Sequence, residues 1–377
     1  MTATTTRPVT PIDLAAERAE LGSALEEALV RTLASGKYVL GPEVEAFEQA
    51  FAAHHGVPHG VGVATGTDAL WLGLLALGVR PGDHVVTTPF TFFASAASIA
   101  WIGAKPVLAD IDPRTALLDP VAAASAIDGQ TTALLPVHLY GQLADMKAFR
   151  ALADERGLRL LEDGAQAHGA RRDGHACGAL GDAGTFSFYV TKNLGAAGEG
   201  GLVATRSAEV AVALRQLRDH GSPRKYEHAR LGTNSRLHAL QAALLNVKLP
   251  HLERWNARRR ALAARYDAAF RDSATVVPLA VLPNTTHAYH QYAVRIRGGR
   301  TRDQVLEGLA ARQIFAAVHY PSPVHLQAAA RDWGYGPGDF PHAEALAREV
   351  LCLPIHPFLS DGDVDRVAES VLALAPA

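Results

Sequence analysis

Apolar residues recur at helical spacing over Asp13 to Leu33, where Leu14, Leu21, Leu25 and Leu29 share a face, and over Glu43 to His54, where Val44, Phe47 and Phe51 do. The turn-rich stretch Gly36 to Pro42 separates these two predicted helices. From Val61 the pattern changes to short β-branched and apolar runs alternating with helical stretches. Val61 to Ala64, Asp83 to Pro89, Lys105 to Asp112, Thr132 to Val137, Leu158 to Leu161, Thr185 to Val190 and Leu202 to Thr205 read as strands. Asp68 to Leu75, Phe90 to Ile102, Met146 to Arg156 and Glu209 to Asp219 read as helices. Such alternation predicts an α/β fold with a mainly parallel central sheet and helices on both faces, whose ligands collect at the carboxyl ends of the strands.

A polar loop, His220 to Gly232, leads to a helix predicted to begin near Ser235 and then to a long basic helix, Trp255 to Phe270. Beyond about Asp272 short strands such as Tyr292 to Ile296 mix with helices at Arg302 to Ala311 and Pro341 to Leu351, the pattern of a smaller α+β domain. The expected division is 1–250 for a large domain with an N-terminal helical segment and 251–377 for a small C-terminal domain.

Composition narrows the function classes. With 377 residues, 48% hydrophobic and 20% charged, the chain is an ordinary globular protein with room for two cores. A formal charge of -2 gives no reason to expect nucleic acid or an anionic membrane as partner. The longest near-apolar run, Phe90 to Ala104, is too short to span a bilayer and contains serines and a glycine. Met1 to Pro11 is threonine-rich without an apolar signal core, and the two cysteines, Cys177 and Cys352, offer no disulfide framework. A cytoplasmic protein is therefore expected.

Chemistry concentrates where strands end. Lys192, one of only six lysines among 36 basic residues, follows the run Thr185 to Val190 and precedes the glycine-rich turn Gly195 to Gly201. Desolvation there would lower its pKa and expose a nucleophilic amine, although a lysine snorkelling from a sheet end to water has the same local sequence. Asp163 closes the apolar run Leu158 to Leu161, 29 residues before Lys192, and could be its counter-ion. Thr65-Gly66-Thr67 between a strand and a helix suits a phosphate, and equally an ordinary capped helix with Asp68 in its first turn. His54 and His55 lack matching acidic or sulfur ligands and read as a cationic helix end rather than a metal site. Together, the lysine, the aspartate and the helix start are the parts a pyridoxal phosphate (PLP) site needs: an imine-forming amine, a partner for the pyridinium and a phosphate cradle.

Gly41-Pro42-Glu43, Gly66 to Leu70, Pro136 to Gly141, Glu162 to Gln166, Ser187 to Tyr189 with Lys192 to Gly195, Asn234 to Leu237 and Val318 to Pro321 resemble, in order and over almost the whole chain, the DegT/DnrJ/StrS family of nucleotide-sugar aminotransferases. The resemblance implies a fold-type I, PLP-dependent homodimer with shared active sites. It implies that Lys192 is the Schiff-base lysine and proton shuttle, that Asp163 meets the pyridine nitrogen, that Gln166 neighbours the phenolic oxygen and that Phe92 stacks on the ring. Gly66, Thr67 and Ser187 would contact the phosphate, and Asn234 would reach it from the other subunit. Tyr320, His325, Lys225 and Tyr226 are substrate-side candidates. The departures are His238, where many relatives have aspartate, and Thr191 before the lysine; retention of lysine rather than histidine favours transamination over dehydration. The implied reaction moves an amino group from L-glutamate to a keto-sugar nucleotide, with a 3-keto sugar favoured over a 4-keto one. The alternatives are a cyclitol ketone or aromatic precursor as acceptor, or a regulatory PLP-binding protein without turnover.

Overall fold

A computed structural model describes residues 7–376; the threonine-rich residues Met1 to Thr6, part of the N-terminal stretch read above, lie outside it. Among the described residues thirteen strands form three sheets. Strands β1 (His59–Val63), β2 (His84–Thr87), β3 (Lys105–Leu108), β4 (Thr131–Leu135), β5 (Arg159–Asp163), β8 (Ala183–Ser187) and β9 (Gly201–Thr205) make the central sheet, in the order β1-β9-β8-β5-β4-β2-β3. β6 (Arg171–Arg172), β7 (His175–Ala176) and β11 (Thr285–Thr286) form a small ribbon; β10 (Val276–Pro278), β12 (Tyr292–Ile296) and β13 (Val350–Leu353) form a C-terminal antiparallel sheet.

Every pairing among β2, β3, β4, β5 and β8 is parallel, whereas β9 runs antiparallel to both β1 and β8. The local reason is connection length. Residues 188–200 hold a glycine-rich turn and no crossover helix, and a short return can only deliver the next strand antiparallel. Helices cover both faces of the sheet. Leu72, Leu74, Val85, Leu161 and Val203 pack in one apolar layer, and Val86, Leu134, Phe149 and Leu160 in another.

Several predicted boundaries move, each for a visible cause. The expected single helix Asp13 to Leu33 is two helices, Leu14–Leu21 and Ala24–Ser35, because Gly22 takes φ 59°, ψ -138°, a conformation open to glycine that ends the first helix. The helix expected from Phe90 begins at Phe93, since Phe92 is extended. The helix expected near Ser235 begins at Ala239; Asn234 and His238 bridge instead to Asp219 and Val39. The helix Pro341–Glu349 stops short of Leu351 because Val350 turns into β13. Strand β8 ends at Ser187, so Lys192 stands in the following turn and not at the strand end. That turn is tight: the Lys192 N–H donates to Tyr189 O, and a Cβ on Gly195 would lie 2.4 Å from Val190 O.

In the C-terminal part, the helices Leu252–Phe270 and Asp361–Leu374 pack Tyr266, Phe270, Val367 and Val371 against Val294, Leu351 and Leu353 of the small sheet. Cys177 and Cys352 are both buried and free. Among the described residues no helix is long and apolar enough to cross a membrane.

Candidate active site

Five loops, following β1, β2, β4, β5 and β8, converge at the carboxyl ends of the sheet around a cavity of about 390 Å³. A larger, open depression of about 1290 Å³ lies at the opposite strand ends, between Arg150, Asp182 and Arg206; it contains no lysine and none of the predicted site residues. The smaller cavity gathers Gly66, Thr67, Phe92, Asp163, Gln166, Ser187, Lys192 and Tyr320.

The helix Gly66–Ala76 starts at its rim. Thr65 is extended and its Oγ1 accepts from the Asp68 N–H at 3.0 Å, which leaves the Gly66 and Thr67 N–H groups outside the helical ladder at the positive end of the dipole. Gly66 lets this helix end approach β8: a Cβ there would stand 2.4 Å from the Ser187 Cβ. The Asp68 carboxylate, which would repel an anion, is turned toward Ser235 Oγ (2.6 Å) and Trp71 Nε1 (3.1 Å). A small, anion-ready cradle results.

Asp163 is the last residue of β5 and only 4% exposed. Its Oδ2 accepts from Ser95 Oγ at 2.7 Å and its Oδ1 from the Ala165 N–H at 3.1 Å, while Thr91 lies 2.8 Å behind Ser95. Gln166 Oε1 accepts from the Tyr140 N–H at 2.6 Å and its Nε2 donates to Tyr320 Oη at 3.3 Å. Burial depresses the Lys192 amine to about 8, with Asp163 and Glu199 pulling in the opposite direction. Lys192 forms no ion pair among the described residues, so Asp163 acts on it through the field and not as a bonded counter-ion. Glu199 is in turn pushed up by burial against the pull of Lys192. Phe92, 59% exposed, stands at the mouth with its ring centroid 6.0 Å from that of Tyr320.

The other candidates are placed elsewhere. Asn234 is exposed and outside the cavity of its own chain, although the adjacent Ser235 binds the helix start. Lys225 and Tyr226 sit on an exposed loop, the ammonium 5.0 Å over the ring and Tyr226 84% exposed. His325 is buried, its Nε2 3.2 Å from Glu344 and its ring edge-on to Phe340. The packed-loop reading of His325 therefore replaces the substrate-side one: its ring faces the core because the short helical turn Val324–Leu326 directs it there. His54 and His55 do close a helix, Pro42–His55, but burial pushes both imidazoles down, His55 to about 3, so no cationic helix end results. Residues the sequence pattern did not single out, Ser95, Tyr140 and Glu199, complete the surroundings. Ser95 lay in the predicted helix Phe90 to Ile102, and Glu199 among the turn glycines, but nothing in their spacing points to Asp163 or Lys192.

A desolvated amine, a buried carboxylate bonded by a hydroxyl, an amide and a helix N-terminus around one cavity fit the imine, pyridine nitrogen, phenolic oxygen and phosphate of PLP. Fold and site thus define the class of PLP-dependent fold-type I transferases. The sequence model of the DegT/DnrJ/EryC1/StrS aminotransferase family matches residues 20–372. The chain is 47% identical over 366 residues to the erythromycin biosynthesis sensory transduction protein EryC1 of Saccharopolyspora erythraea, covering 96% of this chain and 98% of the relative. It is 45% identical over 360 residues to the dTDP-3-amino-3,4,6-trideoxy-alpha-D-glucose transaminase of Streptomyces venezuelae, covering 96% and 94%. The crystal structure of S. venezuelae DesV in complex with a ketimine intermediate superposes with a TM-score of 0.96 at 45% identity, over 99% of this chain and 100% of that one. The chain belongs to the DegT/DnrJ/EryC1/StrS family and is a PLP-dependent aminotransferase.

Proposed function

We propose that the protein transfers the amino group of L-glutamate to a keto-sugar nucleotide, with C3 of the sugar as the receiving carbon. The observation that carries this reading is the Lys192 amine, held near a pKa of 8 in the same cavity as the Asp163 carboxylate. The relative from S. venezuelae, whose name specifies a 3-amino dTDP-sugar, supports the acceptor and the position.

When bound, PLP supplies an electron sink for the carbanion beside the transferred nitrogen. Lys192 Nζ attaches the cofactor and, once released, takes a proton from the donor carbon and returns one to the sugar carbon. A pKa near neutrality suits both directions of that transfer. Asp163, its carboxylate oriented by Ser95, would keep the pyridine nitrogen protonated. The Gly66 and Thr67 N–H groups and Ser187 would hold the phosphate, Phe92 would cover the ring, and Tyr320 would line the substrate side of the cavity they share.

The reading includes a cytoplasmic homodimer in which Asn234, Lys225 and Tyr226 serve the partner's cavity, which agrees with their exposure in this chain. It also keeps 1–250 as the cofactor-binding domain and 251–377 as the smaller one. Lys192→Ala should abolish the visible absorbance of the bound cofactor together with turnover; a variant retaining both would sink the assignment. Conversion of bound PLP to its amino form by L-glutamate, followed by a panel of UDP- and dTDP-linked 3-keto and 4-keto sugars and a cyclitol ketone, tests donor and acceptor. No conversion with glutamate excludes that donor, and turnover only with a 4-keto sugar or the cyclitol overturns the acceptor.

A further inference from the structure

The hydrogen bonds of Gln166 close a circuit from the cavity through the rest of the fold. Its Oε1 accepts from the Tyr140 N–H at 2.6 Å. Tyr140 in turn donates its phenolic hydrogen to the His319 carbonyl, and the next residue, Tyr320, receives the Gln166 Nε2–H at 3.3 Å. An amide whose oxygen is occupied by a backbone N–H has no freedom to flip: its other face offers only N–H donors.

Tyr140 holds this position in an unusual conformation. It has φ 61°, ψ -1°, the left-handed region that an aromatic residue rarely adopts, and it is 3% exposed. Surrounding bonds impose that conformation. The Tyr140 carbonyl accepts from the Gln291 N–H at 3.3 Å, and the Gly141 carbonyl from the Ala288 N–H at 2.9 Å. Gly141, at φ 101°, lies so close to Gln166 O, Tyr289 N and His290 N that a Cβ would stand 3.0 Å from each. The turn Leu139–Gly141 is thus clamped between the loop after β5 and the segments 288–291 and 319–320. The peptide plane entering this clamped turn aims the Tyr140 N–H at Gln166.

The geometry points to Tyr140 as a positioning residue: its N–H, held on target by the ring's bond to His319, fixes the Gln166 amide with its N–H₂ toward the cavity, so that Gln166 serves the cofactor's phenolic oxygen as a donor only. The inference rests on the PLP reading of the cavity given above. A donor at that oxygen stabilises its ionised form, which loosens the hold of that oxygen on the neighbouring imine proton. The pH midpoint of the visible band of bound cofactor is therefore set low by Gln166 and, through it, by Tyr140.

The experiment is a pH titration of that band in the holoenzyme and in Gln166→Leu, Tyr140→Phe, Tyr140→Gly and the double variant Tyr140→Phe/Gln166→Leu, each checked for folding by circular dichroism. Gln166→Leu should raise the midpoint by about one unit, the scale of one lost hydrogen bond to a charged oxygen. Tyr140→Phe, which frees the ring from His319, should raise it by less, and Tyr140→Gly, which accepts the left-handed turn but loses the ring, by a similar amount. The double variant should shift no further than Gln166→Leu alone, because Tyr140 acts through Gln166. Folded Tyr140 variants with the parental midpoint, or a double variant whose shift is the sum of the two, would overturn the role of Tyr140. A parental midpoint in Gln166→Leu would instead overturn the placement of Gln166 at the phenolic oxygen, and loss of the band is expected only from Lys192→Ala.

Discussion

Glu162 and Asp163 are consecutive carboxylates on β5, and strand alternation sends them to opposite faces of the sheet. Glu162 enters a closed network: Oε2 meets His138 Nε2 at 2.9 Å and Oε1 accepts from the Gly181 N–H at 2.6 Å. His138 Nδ1 accepts from the Ala144 N–H at 3.1 Å, so its one proton sits on Nε2 and goes to Glu162. The buried Cys177 thiol lies beside them, its pKa pushed well up by burial and by the two carboxylates. Although His138, Glu162 and Cys177 bring metal-capable atoms within 4.8 Å of one another, both imidazole nitrogens and both Glu162 oxygens are already engaged in hydrogen bonds. Asp163 has its bonds from Ser95 and Ala165 on one side and the open cavity on the other. Two buried acids of one strand therefore do different work: one joins the loops, and the other keeps capacity for a ligand.

That contrast can be broken from either side. Asp163→Asn should lower turnover roughly 10³-fold, the scale of losing one preorganised charge at a reacting centre, while leaving the melting temperature almost unchanged, since the amide oxygen can still accept from the Ala165 N–H and the amide NH₂ can donate to Ser95 Oγ. Parallel kinetics and melting curves decide it, and a collapse in stability would make the two carboxylates alike. Glu162→Leu should do the reverse. Leaving the His138 Nε2–H and Gly181 N–H unsatisfied in the interior should cost about 3 kcal/mol of stability by denaturant titration, with turnover per folded, cofactor-loaded site changed only a few-fold.

Smaller effects sharpen the comparison. Ser95→Ala removes one hydroxyl from the Asp163 carboxylate and should lower kcat/KM by about tenfold, with no comparable change in melting temperature; an unchanged kcat/KM would remove Ser95 from the site. The pH dependence of PLP capture by the apoenzyme reports on the field of Asp163. The neutral amine is the reactive form, so the rate should rise with pH and level off above about 8, whereas an ordinary lysine would still be gaining near 10. Asp163 raises the Lys192 pKa, so Asp163→Asn should move this plateau to lower pH. Glu162→Leu should leave it in place, and stopped-flow absorbance would detect either shift.

Much of the site was legible because strand ends in a mainly parallel sheet must face one side. Gly66, Thr67, Phe92, Asp163, Gln166, Ser187 and Lys192 were placed together on that ground and on the family resemblance, and they do line one cavity. Lys192 itself lies five residues past the end of β8, a displacement hidden because Phe188 to Val190 have strand-like side chains. Those residues leave the ladder when the turn through Gly195 folds back, which is a property of packing and not of propensity. His325 shows the opposite error: polarity in a late loop suggested a substrate contact, whereas the chain turns the ring into the core against Phe340.

The sequence by itself determined the order of strands and helices, the glycines that permit close approach, and the presence of an aspartate closing one strand and a lysine soon after another. These follow from periodicity and from the few conformations each residue type tolerates. Only the tertiary structure decided which of two adjacent carboxylates faces the ligand, which hydroxyl holds it, and how Tyr140 comes to orient Gln166. Those choices join residues as far as 179 positions apart, such as Tyr140 with His319, and no local pattern carries information about partners that meet only when the sheet and the C-terminal segments close around the cavity.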